Sequence, residues 1–416
     1  VEKPYSVSVV NGVKTVLYPF KNSSTVNIHL IINAGSWYED KNNWGAFHFL
    51  EHLVHLGTEM FPTEKEIFQF KESHGLSSSA FASGGQIGFS ISAPHYSFKE
   101  AIILLNQIVF HPTLPEKYFD KEISIITQEY NDKWDDLHNR FSLSVSKQIY
   151  GNSHPYIRDG MGQPEYIETL SRKQIINLHQ KYFTKENGVL AITGKINYKE
   201  AQKVTRSHLK PLSFKTKNSL VLFPVPEKKQ IVHHEPVENK HICISWPIPG
   251  YQKSPLVDQL GFGVANYILG GSDFSVLFKK LREDLGLVYS IYSTQYKLPK
   301  GGVFSIKTTA NKKNYQKTIE EIRKATYGFV KDVVPQSEFK RAIAFMNART
   351  IMSYDSPKDV VFGIANDLAK KRKIHLAKDY IEISNSLTRT SIKKLLLKYI
   401  NPENELTAVM KNEISV

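Results

Sequence analysis

The sequence predicts an α+β fold of two homologous domains, each an antiparallel or mixed sheet with helices packed mainly on one face. Three observations carry this reading. Strand patterns arrive as hairpins mixed with helices rather than in strict βαβ alternation. A stretch at residues 209–230, with Pro211, Pro224 and Pro226 among lysines and little periodicity, reads as a linker, and the order of elements begins again after it. The 416 residues suffice for two or three domains at roughly 100 to 200 residues each. The expected division is residues 1–208, a linker at 209–230, and residues 231–416.

The opening, Tyr5 to Pro19, reads as two strands around Asn11-Gly12, a strong short hairpin signal. A third strand runs from Thr25 to Asn33, with Val26, Ile28 and Leu30 alternating. Helical patterns cover about Trp44 to Leu56 and Thr63 to Ser73, the second opening with the capping box Thr63-Glu64-Lys65-Glu66. Strands return at Ser77 to Ala82 and Gln86 to Ala93. Long helices follow at Ser97 to Phe110 and about Glu116 to His138, then another near Ser171 to Tyr182. The strand Gly188 to Thr193 ends at Gly194. The restart is legible in matched segments: Val334-Pro335-Gln336-Ser337-Glu338-Phe339 repeats Leu114-Pro115-Glu116-Lys117-Tyr118-Phe119, and Leu406-Thr407-Ala408-Val409 resembles Leu190-Ala191-Ile192-Thr193.

Composition excludes several classes. With 41% hydrophobic and 23% charged residues the chain is not compositionally disordered. The best apolar stretch, Ala101 to Phe110, is interrupted by Asn106 and Gln107 and falls far short of the roughly 20 residues a spanning helix needs, so no transmembrane segment is expected. A single cysteine, Cys243, excludes an internal disulfide and fits a reducing compartment. The expected location is cytoplasmic. Periplasmic and organellar compartments stay open, because the chain starts at Val1 and an upstream segment could have been removed. The net charge of +14 raises nucleic acid as a partner, but no basic run interleaves with aromatics and no nucleic-acid motif is present.

His48-Phe49-Leu50-Glu51-His52 is the most informative stretch. On a helix, residues four apart project from one face, so His48 and His52 can bind one metal ion, with Glu51 beside them. Imidazole pairs suit zinc, and a catalytic zinc takes a third protein ligand while leaving a position for water. Glu51, not needed as a ligand, can take a proton from that water. The polar triad sits in an apolar helix, where unpartnered polar groups are costly. For the third ligand, the helix after Pro115 offers Glu116, Asp120, Glu122, Glu129 and Asp132; of these, Glu122 and Glu129 are two turns apart and share a face.

The inverted His-x-x-Glu-His, with Glu129 and Glu122 downstream, resembles the pitrilysin and insulinase class of zinc peptidases (peptidase family M16), the inverzincins. Size and two-domain layout are closest to its short-chain branch, which includes the mitochondrial processing peptidase and bacterial homologues. Gly35-Ser36-Trp37-Tyr38-Glu39 and Gly45 look like the family's lead-in, and Leu56-Gly57-Thr58 like its helix end. The resemblance implies a zinc endopeptidase with His48, His52 and Glu129 as metal ligands, Glu51 as base and Glu122 as supporting acid. Residues 1–208 would then form the catalytic domain and 231–416 a substrate-binding domain. In the second half, Leu269-Gly270-Gly271-Ser272 and Leu281 to Ser290 look like the family's C-terminal signature, whose Arg and Tyr reach the substrate. Here they are Arg282 and Tyr289. A guanidinium can hold a peptide carbonyl or carboxylate, and a phenol can donate to an oxyanion.

Matching the halves sets Phe262, Ala265 and Asn266 opposite His48, Glu51 and His52, and Arg349 opposite Glu129, so one zinc per chain is expected. Where the family usually has Asn-Ala beside the bound peptide, this chain has Ser79-Ala80, which keeps one hydrogen-bonding group but shortens its reach. His55, His74 and His233-His234 are read as packed or solvated non-ligands. Peptide partners follow, together with a homodimer or a heterodimer with a homologous subunit. A different reading, a non-catalytic subunit that pairs with an active peptidase, would be marked by loss of a ligand or of Glu51, and none is lost.

Overall fold

A computed structural model describes residues 4–152, 154–212, 230–235 and 237–411. Most of the expected linker at 209–230 lies outside the described residues. The chain groups into two compact units, each drawn from separate segments: Val1–Asp136, Arg158–Val221 and Ser353–Leu376 in the first, Leu137–Ile157, Leu222–Met352 and Ala377–Val416 in the second.

The first unit is built on six strands: β1 Ser6–Val10, β2 Val13–Pro19, β3 Thr25–Ile32, β4 Ser77–Ala82, β5 Ile87–Pro94 and β6 Gly188–Gly194, in the order β1-β2-β6-β3-β5-β4. The β1–β2 turn sits on Asn11 and Gly12, with φ of 49° and 87°, as a two-residue turn between twisted strands requires. β6 runs parallel to β2 and antiparallel to β3; the other pairs are antiparallel. Period-2 alternation divides the faces. Leu17, Ile28, Leu30, Ile32, Leu190 and Phe89 enter the main core with the helices α1 (Ala46–Leu53), α2 (Glu64–His74) and α3 (Phe98–Phe110). Val16, Ile31, Val189 and Ala191 face the other way, onto Val360, Ile364 and Ala365 of the helix Pro357–Ala369. That helix, supplied from late in the sequence, is held by Thr193 Oγ1 donating to the Pro357 carbonyl at 2.6 Å.

The carboxylate-bearing stretch after Pro115 departs from the expected single helix. A 3-10 turn, Glu116–Tyr118, leads into α4 (Phe119–Asp135); Asp136 is extended (ψ 117°), and α5 (Leu137–Tyr150) begins anew. α4 belongs to the first unit and α5 to the second, where the Phe141 ring lies 6.2 Å from His241 and 6.3 Å from His233.

The second unit holds β7 Gln230–His234, β8 Asn239–Pro249, β9 Val288–Lys297, β10 Gly301–Asn311 and β11 Leu406–Lys411, in the order β7-β11-β8-β10-β9. Strand for strand this repeats β2-β6-β3-β5-β4: the late strand runs parallel to one neighbour and antiparallel to the next in both sheets. Its core gathers Trp246, Phe262, Phe304 and Ile306 against the helices Leu256–Gly270 and Arg389–Tyr399. Among the described residues no helix is long and apolar enough to cross a membrane.

Candidate metal centre

α1 carries the histidine pair, and its start is fixed by features that leave little freedom. Gly45 adopts φ 95°, and a Cβ there would fall 2.9 Å from Gly162 Cα and from the Met161 carbonyl. Glu39 is buried at the helix start, accepting from Gly45 N at 2.9 Å through Oε2 and from Phe47 N at 2.8 Å through Oε1. One carboxylate thus satisfies two of the donors that a helix N-terminus leaves unpaired. Burial pushes the Glu39 carboxyl up to about 8, against those two donors and the nearby Arg158, which favour the anion.

Phe47, Phe49, Leu50 and Leu53 turn into the core, which aims His48 and His52 away from it. The two rings lie edge to face with centroids 4.8 Å apart. α4 packs on α1 and brings the carboxylates. Glu129 Oε2 lies 3.7 Å from His48 Nε2 and 3.9 Å from His52 Nε2, while His52 Nδ1 donates to Glu122 Oε2 at 3.0 Å. Ligand atoms of His48, His52 and Glu129 all lie within 4.8 Å of one another, the group of this kind found among the described residues. Of the five acids left open by spacing, Glu122 is buried, Glu129 is 41% exposed and points at the histidines, and Glu116, Asp120 and Asp132 face solvent.

The donor set fits zinc. Two imidazole nitrogens and one carboxylate oxygen suit a catalytic site, and bonds of 2.0–2.1 Å in a tetrahedron place ligand atoms roughly 3.3–3.5 Å apart, closer than the 3.7 and 3.9 Å from Glu129 to the two rings. Glu122 at His52 Nδ1 stands where a carboxylate would steady the ring if its other nitrogen bound a metal. His48 Nδ1 is buried without a hydrogen-bond partner. Burial, reinforced by the His52 charge, drives His48 down to about 4, so the ring is neutral and has a lone pair to offer. Glu51 is half-buried beside the pair; burial raises its carboxyl, with Glu129 adding to the effect and His52 opposing it.

Ser79 and Ala80 lie on β4, the edge of the first sheet, opposite Ser90 and Phe89 of β5; Ser79 is exposed. α1 packs against that strand. Arg282 and Tyr289 belong to the second unit. Arg282 lies on a wide π-helical segment, Phe278–Asp284, with its guanidinium carbon 4.7 Å from the Phe278 ring centre and 4.9 Å from that of Tyr289; Tyr289 is 83% exposed. His55 packs 6.4 Å from the Phe89 ring, and burial lowers it to about 4. Sequence reasoning gave no role to Glu39; an acid six residues before the helix-opening glycine was the available signal.

Two family models match the sequence: Insulinase (Peptidase family M16) over residues 15–155, and Peptidase M16 inactive domain over residues 169–346. The chain belongs to the M16 peptidase family. Among its relatives, the uncharacterized zinc protease YmxG of Bacillus subtilis is 25% identical over 351 residues, covering 83% of each chain. The zinc protease PqqE of Helicobacter pylori is 21% identical over 429 residues, covering 98% of this chain and 93% of that one. In fold, this M16 chain is similar to a peptidase M16 inactive domain from Pseudomonas fluorescens, with TM-score 0.88, 19% identity and coverage of 99% and 98%. It is also similar to the periplasmic protease PqqL of Escherichia coli, with TM-score 0.83 and 17% identity, covering 99% of this chain and 48% of that chain. The inactive-domain model begins in the first half, at residue 169, and runs through the segment that carries Phe262, Ala265 and Asn266.

Proposed function

We propose that this M16 chain is a zinc-dependent endopeptidase that hydrolyses unfolded peptides or leader segments inside a closed chamber. The observation that carries the reading is the convergence of His48, His52 and Glu129 within 4.8 Å, with Glu51 alongside. These three residues would hold one zinc, which when bound polarises a water and the scissile carbonyl as a Lewis acid. The remaining steps fall to the chain's own groups. Glu51 takes the proton of the attacking water on its carboxylate and returns it to the departing amine nitrogen; burial raises this carboxyl above the usual carboxylate range, which strengthens it as a base. Glu122 keeps the His52 ring oriented through Nδ1. An extended peptide would add to the free edge of β4, so that backbone hydrogen bonds near Ser79 and Ala80 supply affinity with broad sequence tolerance. Arg282 and Tyr289 would hold the substrate carbonyl and the developing oxyanion, an assignment supported by the resemblance and by their mutual stacking.

A homodimer is the assembly proposed, each site being completed by Arg282 and Tyr289 of the second copy. The reading of the motif is tested by Glu51→Gln. The three ligands remain, so zinc content should match the wild type while peptide hydrolysis falls by about 10² to 10⁴. Wild-type turnover in a purified Glu51→Gln protein would remove Glu51 from the chemistry.

A further inference from the structure

The edge strand β4 and the histidine helix α1 are joined by more than their direct contact. Among the described residues β4 pairs on one side only, with β5. It meets the core that it shares with α1 through the methyl groups of Ala80 and Ala82. A methyl group makes few contacts, so these two set the spacing of strand and helix more firmly than their register.

A second connection runs through residues 35–39. The turn that closes the β4–β5 hairpin is pinned by Ser83 N donating to the Gln86 carbonyl at 2.9 Å, and within it the Gly84 carbonyl accepts from Trp37 N at 2.8 Å. The Trp37 ring lies against the same turn: a Cβ on Gly84 would fall 2.1 Å from Trp37 Nε1, and one on Gly85 2.7 Å from Trp37 Cζ3. Two residues further on, Glu39 holds Gly45 N and Phe47 N at the start of α1. Tyr38, between them, lies 5.9 Å from the Tyr182 ring, which meets Phe47 edge to face at 5.0 Å. The segment is tied down from its far side as well, by Ser36 Oγ donating to the Arg158 carbonyl at 3.0 Å and by the Arg158 guanidinium donating to the Glu39 carbonyl. A single 3-10 turn, Ser36–Tyr38, therefore grips the hairpin of the edge strand at one end and the residue before His48 at the other.

We propose that Trp37 is a positioning residue: its indole, seated on Gly84 and Gly85 and linked to α1 through Glu39, fixes the register of the β4 edge against His48 and His52, and with it the place of the scissile carbonyl of a docked peptide. The inference rests on the endopeptidase reading. Glu39 secures α1 without the indole, so loss of the ring should shift the strand and spare the metal ligands.

Steady-state kinetics of the purified full chain on a peptide that the wild type cleaves, read with zinc content and thermal midpoint, test it. Trp37→Ala should lower kcat about 10- to 100-fold, since a displacement of about 1 Å is enough for such a loss. KM and zinc content should stay at wild-type values, because the backbone groups of β4 and the three ligands remain. Trp37→Phe keeps a ring against the two glycines and should recover much of the rate. Gly85→Ala attacks the contact from the other side; the glycine is outside the left-handed region, so what the new methyl meets first is the indole. It should lower kcat in the wild-type background and cost nothing further in Trp37→Ala, where the indole is gone. Three results overturn the proposal: unchanged kcat in Trp37→Ala, a raised KM at unchanged kcat, or additive losses in the double variant. Should Trp37→Ala fail to fold, Gly85→Ala alone and in the Trp37→Phe background gives the same reading, and unchanged kcat there overturns it equally. A wild-type chain that holds zinc yet cleaves no peptide overturns the endopeptidase reading and this proposal with it, whereas a cleaving chain indifferent to Trp37 overturns this proposal alone.

Discussion

The two units share one sheet topology and diverge where chemistry would sit. In the first, α1 presents His48, Glu51 and His52 from an otherwise buried helix; in the second, the helix Leu256–Gly270 has Phe262 and Ala265, both fully buried, and Asn266 at the matched places. Polar groups at such positions are destabilising unless partnered. The first unit supplies partners on α4, where Glu122 and Glu129 stand; the second has Arg349 opposite Glu129, carbon at Phe262 and Ala265, and a single amide, Asn266, whose side-chain oxygen is buried without a hydrogen-bond partner. The second sheet thus shows how this architecture packs when the matched helix carries no histidine pair. The topology survives the exchange because the apolar faces of the strands, not the histidines, specify it.

Making the first unit resemble the second should have the largest effect. Glu129→Gln replaces a charged oxygen ligand with a neutral amide and should empty the zinc site, read as metal content after dialysis. Glu122→Gln leaves the ligands intact and should cost roughly 10- to 100-fold in affinity or activity, with most of the metal retained. The reverse ranking would mean that the two acids have each other's roles.

A second test asks whether the ligand-free unit contributes to a neighbouring chain. Mixing a Glu51→Gln chain with an Arg282→Ala/Tyr289→Phe chain, with subunit exchange, gives about half mixed dimers, each with one site intact in both parts. About a quarter of wild-type activity should return. Activity no higher than the mean of the two parents would break the idea that sites are completed in trans.

The smallest effect is a pH profile peculiar to the first unit. Burial lowers His29, His55 and His179 to about 4 each. Their unfolded value is higher, so the stability they contribute is present above about pH 6.5 and is lost as pH falls through 4. Glu39, raised to about 8, works the other way: its contribution is present below about pH 4.5 and is lost as pH rises through 8. In the metal-free protein His48, also lowered to about 4, joins the three histidines, and the four imidazoles outweigh one carboxyl on the acid side, so the metal-free protein should be most stable near about pH 6.5 to 7. In a Trp246→Phe variant the remaining tryptophans, Trp37, Trp44 and Trp134, all report on the first unit. A flat midpoint from pH 6.5 to 4 would contradict the burial of these rings. Glu39→Gln should flatten the alkaline limb alone.

Local signals were legible because local physics sets them. The Asn11-Gly12 hairpin, the Thr63–Glu66 box and the Ser77–Ala82 strand stand where the sequence puts them, each fixed by turn, cap or alternation chemistry within a few residues. The histidine pair and its two acids were readable from helical spacing together with the resemblance. Illegible were features decided by contacts distant in sequence: the break at Asp136 within an amphipathic run, the Glu39 cap and the unit to which each helix belongs. Nothing in the polarity pattern of α5 or of Pro357–Ala369 distinguishes one sheet from the other as its destination.

The placement of Pro357–Ala369 on the first sheet bears on how the chain emerges during synthesis. Once β6 has been made, every strand of that sheet exists, yet Val16, Ile31, Val189 and Ala191 still lack the helix that covers them. At about 5 to 20 residues per second the ribosome needs on the order of ten seconds or more to reach it. For that interval the nascent chain carries an uncovered apolar sheet face, the kind of surface that chaperones bind. A gene cut between its halves would make the exposure permanent.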